Sequence, residues 1–81
     1  MVNLWTGNIE TNGEYVNLSQ VSEITFEQDK TYTIQVQDAA YIREGETGKG
    51  FYIFDCKPFT FTYTGSGLYI NANKTVVNIA G

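Results

Sequence analysis

The stretch TYTIQVQ at residues 31–37 decides the fold class of this 81-residue chain. Tyr32, Ile34 and Val36 alternate with Thr and Gln, so in an extended chain the apolar residues share one face and the polar residues the other. Such alternation is typical of a β-strand that has one face in the core and one in water. We therefore predict an antiparallel strand here.

The same pattern recurs on both sides of this stretch, and no window of 11 residues fits the spacing of an amphipathic helix. Residues 59–64 read FTFTYT, which places three aromatic rings on one face and three threonines on the other. Aromatic and β-branched residues suit a pleated surface. Further strands are predicted at residues 16–18, 24–26, 51–54, 68–70 and 75–79.

Turn residues separate these strands. Asn12-Gly13 predicts a type I′ turn, because both residues tolerate positive φ. Residues 27–30 are predicted to join the strand at 24–26 to the strand at 31–37 as a hairpin. Residues 45–50, which include Glu46 and Lys49, are predicted to form a loop.

Seven or eight short strands at spacings of about 8 to 12 residues indicate an all-β protein. We expect one small antiparallel β-sandwich or barrel that spans residues 1–81. Residues 1–13 fit no clean strand pattern and are interpreted as an N-terminal arm. A chain of this size buries only about 60 to 65% of its unfolded surface, which leaves a thin margin of stability.

The residue inventory excludes much chemistry. The chain has no His, so Ser-His and Cys-His nucleophiles are excluded within one chain. Cys56 is the single cysteine, which excludes an internal disulfide and a structural zinc site; we interpret it as a small buried residue.

Acidic residues are the remaining candidates for chemistry. Glu44 with Glu46, and Glu23 with Glu27, are the carboxylate pairs that a glycosidase would need, but a domain this small has little volume for a cleft. Asp38 and Asp55, with Glu44 and Glu46, carry oxygen ligands that suit Ca²⁺, yet no calcium-loop motif is present. We expect exposed carboxylates, no enzyme activity, no metal and no cofactor.

Charge and hydropathy exclude two classes of binding partner. The formal net charge is −4, and residues 1–29 contain five acidic residues and no Lys or Arg. Such a surface repels phosphate, so we expect no nucleic-acid partner. No apolar stretch approaches the roughly 20 residues that span a bilayer, and no signal peptide is recognisable, so we expect no membrane partner.

Two apolar features point to a contact surface. Residues 51–54 read FYIF and are apolar on both faces. Such a strand is either central and fully buried, or exposes a patch that a neighbouring subunit or a ligand covers. Trp5 is interpreted as an anchor on its own core or on a neighbour, with a sugar-stacking platform as the alternative. The candidate interface residues are Trp5, Phe51, Tyr52, Ile53 and Phe54.

The order of motifs from residue 20 to residue 80 resembles small β-domains of tailed-bacteriophage virion proteins. The similar features are the strand at 23–26, a short polar turn, the TYTI strand, the stretch GFYI at 50–53, the LYI strand at 68–70 and the apolar stretch at 76–79. The resemblance implies a capsid decoration, head-fibre or tail-associated module, and it transfers no catalytic residue.

We therefore expect a non-enzymatic structural protein of a viral particle, such as a capsid decoration (cement) or head-associated protein. It would form a homo-oligomer, a trimer in the leading interpretation, bind the major capsid protein or another virion protein, and be assembled in the host cytoplasm. The alternative is a carbohydrate- or receptor-binding module of a tail fibre, which requires exposed coplanar aromatic rings beside Asn or Asp side chains.

Overall fold

A computed structural model describes residues 2–46 and 50–81. Within these residues the chain forms eight strands and one short helix. The strands are β1 (Asn3–Ile9), β2 (Val16–Asn17), β3 (Thr31–Val36), β4 (Ala39–Glu44), β5 (Phe51–Phe54), β6 (Phe59–Thr62), β7 (Leu68–Ala72) and β8 (Thr75–Ala80). The helix, α1 (Leu18–Ser22), follows β2 directly.

The strands form two antiparallel four-stranded sheets that pack as a sandwich. Sheet A has the order β1-β8-β3-β6, and sheet B has the order β2-β7-β4-β5. The pairs are nested: β4 pairs with β5, β3 with β6, β2 with β7 and β1 with β8. This is the strand order of a jelly roll. The predicted all-β sandwich is therefore confirmed.

The core lies between the two sheets and follows the predicted alternation. Tyr32, Ile34 and Val36 of β3 are all buried, and Ile34 and Val36 meet the buried face of sheet B, which includes Ile42 and Ile70. Each such apolar side chain contributes about 1.5 to 3 kcal/mol when it leaves water. The same alternation holds in β6, where Phe59 and Phe61 are half-buried against the core and the threonines are exposed.

The strand predicted at residues 16–18 is confirmed at Val16–Asn17 and wrong at Leu18, where α1 begins. The side chain of Asn17 accepts a hydrogen bond from the Ser19 N–H at 2.9 Å, which caps the helix. Glu23 has a φ of 61° and ends it. Leu18 is fully buried and anchors the turn to the core.

The predicted strand at residues 24–26 and its hairpin are also wrong. Ile24 and Phe26 pack against the core without joining either sheet. The Phe26 ring meets the Tyr32 ring edge to face at 4.9 Å, and the N–H of Glu27 donates to the Tyr32 hydroxyl at 2.7 Å. The backbone N–H of Glu27 thus donates to a buried tyrosine hydroxyl and not to the carbonyl of a neighbouring strand.

The first strand corrects the interpretation of residues 1–13 as an arm. Asn3–Ile9 pairs with β8, with a register shift between Asn3 and Trp5, and forms one edge of sheet A. Trp5 lies opposite Ile79 on the inner face. A Cβ on Gly7 would lie 2.5 Å from Cζ2 of Trp5, so the Trp5 ring occupies the space that a side chain at residue 7 would fill.

The predicted turns differ in outcome. Gly13 has a φ of 82°, but Asn12 does not have positive φ, so the type I′ turn does not form. Residues 47–49 of the predicted loop, including Lys49, lie outside the described residues. In the described ranges, no helix has the length and apolar character to cross a bilayer.

Candidate binding surfaces

One side edge of the sandwich carries three aromatic rings, one exposed and two half-buried. β5 and β6 are edge strands of the two sheets, and the Phe51 ring lies 5.2 Å from Phe59, which lies 5.7 Å from Phe61. Phe51 is 63% exposed. We call Phe51, Phe59 and Phe61 the open edge. The three rings line a cleft of about 210 Å³ between the sheets, together with Ile42, Leu68, Arg43 and Glu44.

The backbone of β5 also faces outward at this edge. The N–H of Asp55 donates to the carbonyl of Asp38 at 3.1 Å. Hydrogen-bonded pairs alternate along an antiparallel ladder, so Phe51 and Ile53 direct their backbone groups to β4 as well. Tyr52 and Phe54 therefore direct theirs away from the sheet. Of these outward backbone groups of Tyr52 and Phe54, only the Phe54 carbonyl has a backbone partner among the described residues: it accepts from the N–H of Lys57 at 3.0 Å.

The outer face of sheet B carries a second group of rings. Tyr41 of β4 lies opposite Tyr52 of β5, with ring centroids 5.1 Å apart, and Tyr52 stacks on Phe54 at 5.2 Å. The ammonium of Lys57 lies 4.6 Å from the centroid of the Phe54 ring. We call Tyr41, Tyr52 and Phe54 the aromatic face.

Arg43 lies further along the same face. Its guanidinium is 3.9 Å from the centroid of the Tyr15 ring and 5.8 Å from that of Tyr69. It donates to the carbonyls of Gly45 at 3.2 Å and Glu46 at 2.9 Å. Two of its donor groups thus tie down the start of the loop after β4, and the rings shield its flat faces.

An amide group lies beside the aromatic face. Asn71 of β7 is opposite Tyr41, and its Oδ1 accepts a hydrogen bond from the Thr11 hydroxyl at 2.7 Å. The Thr11 hydroxyl also accepts from the N–H of Ala72 at 3.1 Å, which fixes it in turn. Asn71 and Asn73 line a cleft of about 160 Å³ with Ala39, Ala40, Tyr41 and Tyr52. The Nδ2 donors of Asn71 have no partner among the described residues.

The outer face of sheet A has the opposite chemistry. Nδ2 of Asn78 donates to Asn3 at 2.6 Å and to Thr6 at 2.7 Å. The hydroxyls of Thr31 and Thr62 pair at 3.2 Å. Many polar side chains of this face thus bond to one another, and the described residues of its strands place no aromatic ring on it.

The five predicted interface residues lie in different environments. Phe51 belongs to the open edge, and Tyr52 and Phe54 belong to the aromatic face. Ile53 is only 6% exposed and packs in the protein's own core, where a partner cannot reach it. Trp5 is half-buried at the edge of β1, on the side of the sandwich away from β5, and packs on its own core.

β5 is an edge strand, so the interpretation of residues 51–54 as a fully buried central strand is wrong. Sequence reasoning also missed Tyr41 and Asn71. Each sits at an outward position of an alternating strand, but only the register between strands shows that Asn71, Tyr41 and Tyr52 lie in one row across the sheet.

The other candidates for chemistry do not converge. The described residues contain no group of three or more His, Cys, Asp or Glu side chains that could hold a metal ion. Glu44 accepts a short hydrogen bond from the Thr64 hydroxyl. The prediction that Cys56 is buried is wrong: it lies, exposed and with a φ of 57°, in the turn after β5.

Comparisons of the chain with protein-family models, with curated proteins and with solved structures found no significant match.

Proposed function

We propose that the chain is a non-enzymatic structural protein of a viral particle, a capsid decoration or head-associated protein that acts through contacts of its open edge. The observation that carries the proposal is Phe51, 63% exposed beside Phe59 at the mouth of a cleft that apolar residues and the pair Arg43 and Glu44 line. The order of motifs that resembles tailed-phage virion proteins supports the viral setting, although its first motif, the strand at 23–26, does not form.

The chemistry of the open edge suits a protein partner. Phe side chains have no hydrogen-bonding group, so burial is the main way in which they contribute free energy, at about 25 cal/mol per Å² before ordering costs. β5 contains no charge and no Pro, the devices that usually keep an edge strand from pairing. The backbone groups of Tyr52 add strand-pairing capacity at the same place.

We propose two partners for the open edge, a second copy of the chain and a capsid subunit. The aromatic rings of the open edge would be covered between subunits, while the hydroxyl- and amide-rich face of sheet A would stay in water. The acidic exterior, with a net charge of −4, would keep free subunits soluble and limit adhesion to nucleic acid.

Size-exclusion chromatography with light scattering tests the self-association. We expect about three times the 9.1 kDa chain mass for the unmodified protein. Phe51→Thr should weaken association at least tenfold. Val2→Thr is the matched control, because Val2 is 68% exposed but lies outside the open edge, and it should leave the mass unchanged.

Quantitative mass spectrometry of purified virions from the source of the sequence tests the location. The chain should be present in many copies per particle. A monomeric protein that is absent from the particles would contradict the proposal.

A further inference from the structure

We propose that the aromatic face binds a neutral carbohydrate, with Tyr41 and Tyr52 contacting the sugar ring and Asn71 donating hydrogen bonds to its hydroxyls. The proposal goes beyond the structural role and uses residues outside the open edge.

The first step is the pairing of apolar rings with a fixed polar donor. Tyr41 and Tyr52 are 47% and 53% exposed, and their hydroxyls have no hydrogen-bond partner among the described residues. Their ring planes are tilted by 50° and are not coplanar, so a sugar would stack on one ring and contact the other at its rim. Asn71 is held by the hydroxyl of Thr11, which leaves its Nδ2 donors available. A pyranose presents C–H groups on its faces and hydroxyls at its rim, so it needs both kinds of surface side by side.

The second step is the preorganisation of the amide. Thr11 is buried, and its hydroxyl is bonded to Asn71 and to the backbone of Ala72. Asn71 therefore loses little rotamer freedom when a ligand binds, which lowers the entropic cost of each new hydrogen bond. The open edge, by contrast, consists of Phe rings.

The third step is size. An aromatic side chain buries about 150 to 250 Å². At roughly half exposure, the rings of Tyr41 and Tyr52 together offer about 200 Å², against about 800 Å² per partner in a standard protein interface. The cleft beside them is about 160 Å³, below the range of about 300 to 1,000 Å³ for drug-sized ligands. One or two sugar units fit this scale better than a protein.

The fourth step is charge. The residues that line the cleft, including Asn73 and Ala39, are all uncharged. The chain carries a net charge of −4. Two cations lie on the same face but outside the cleft: Lys57 lies over the Phe54 ring, and Arg43 donates to the carbonyls of Gly45 and Glu46. An acidic sugar would therefore find no cation among the residues that line the cleft and would meet an unfavourable overall field, so the structure favours a neutral ligand.

A printed glycan array that contains neutral, sialylated and sulfated glycans is the first experiment, followed by titration with the strongest neutral oligosaccharide. We expect binding to neutral glycans and shifts of the Asn71 side-chain N–H signals in ¹H–¹⁵N spectra. Binding only to sialylated or sulfated glycans, or to none, would overturn the proposal.

Substitutions in the aromatic face and a control substitution elsewhere distinguish loss of sugar contacts from loss of structure. Asn71→Asp keeps the acceptor for Thr11 and removes the donors, so it should weaken binding at least tenfold, as should Tyr52→Thr. Asn8→Asp makes the same change on the outer face of sheet A and should leave binding unchanged. If Asn71→Asp fails to fold, Asn73→Asp, at an exposed position of the same cleft, replaces it with an expected loss of at least threefold.

The outcome is independent of the proposed structural role. Phe51→Thr should reduce oligomer mass without changing glycan affinity. If Tyr52→Thr and Asn71→Asp instead reduce oligomer mass and no glycan binds, the aromatic face is a protein interface and the carbohydrate proposal fails.

Discussion

The two side edges of the sandwich differ in whether their aromatic residues pack on the core or face water. At the β1 edge, Trp5 covers Gly7 and packs inward on the core, and the neighbouring β2 is only two residues long. At the β5 edge, Phe51 faces water. Phe59 and Phe61 beside it are half-buried on the core, so Phe51 is the aromatic residue of these edges that the chain leaves in water. The difference separates a side that stabilises the monomer from a side that we propose for contact.

The largest effect should come from removal of the Trp5 ring. Trp5→Ala removes a half-buried aromatic side chain from the closed edge, and truncations of this kind in cores cost about 3 to 5 kcal/mol. We expect a loss of about 3 kcal/mol in the free energy of unfolding, measured by urea denaturation. A loss below about 1 kcal/mol would mean that Trp5 does not close this edge.

A smaller effect should come from filling the space beneath the ring. Gly7→Ala places a methyl group 2.5 Å from Cζ2 of Trp5, so the ring must move. Overpacking of this kind costs about 1 to 3 kcal/mol.

The control for Gly7→Ala is the same substitution in a Trp5→Leu background, where the ring is absent. There the cost should fall below about 1 kcal/mol, because the two positions interact directly. Equal costs in both backgrounds would show that backbone conformation, and not the Trp5 ring, requires glycine.

The smallest effect should come from the opposite edge. Phe51→Thr removes an exposed ring whose contact is with Phe59, so the free energy of unfolding of the monomer should fall by less than about 1 kcal/mol. Urea denaturation at protein concentrations below the association range measures it. A loss as large as that of Trp5→Ala would remove the distinction between the edges.

Much of the fold could be predicted from alternation alone. Strands β3 and β6 were predicted because each of their residues has a clear inward or outward type. Strand β1 was missed because Gly7 faces inward without a side chain, and the Trp5 ring fills its place. The local sequence pattern cannot show that the side chain of one residue fills the space left by a glycine two positions away.

The segment from Val16 to Phe26 shows a different limit. Its apolar spacing fits strands, but capping by Asn17 starts a helix and the hydroxyl of Tyr32 bonds the backbone at Glu27. Each of these two effects depends on one hydrogen bond of its own. A five-residue helix is also too short for its period to be visible.

The candidate surfaces were predictable only in part. The sequence showed that residues 51–54 are apolar on both faces, which identified Phe51 and Tyr52. Whether the strand is central or at an edge depends on which strands pair with it, and that information lies elsewhere in the chain. The proximity of Asn71 to Tyr52 likewise depends on β4 lying between their strands.

The nested strand order also sets the sequence of events during synthesis. β8 lies between β1 and β3 in sheet A, so both earlier strands lack their shared neighbour until residues 75–80 have been made. Pairings that join distant parts of a chain form slowly. We expect the nascent chain to remain without a completed sheet A until β8 has emerged from the ribosome, and to depend on rapid pairing of β8 with β1 and β3 to avoid pairing with other chains.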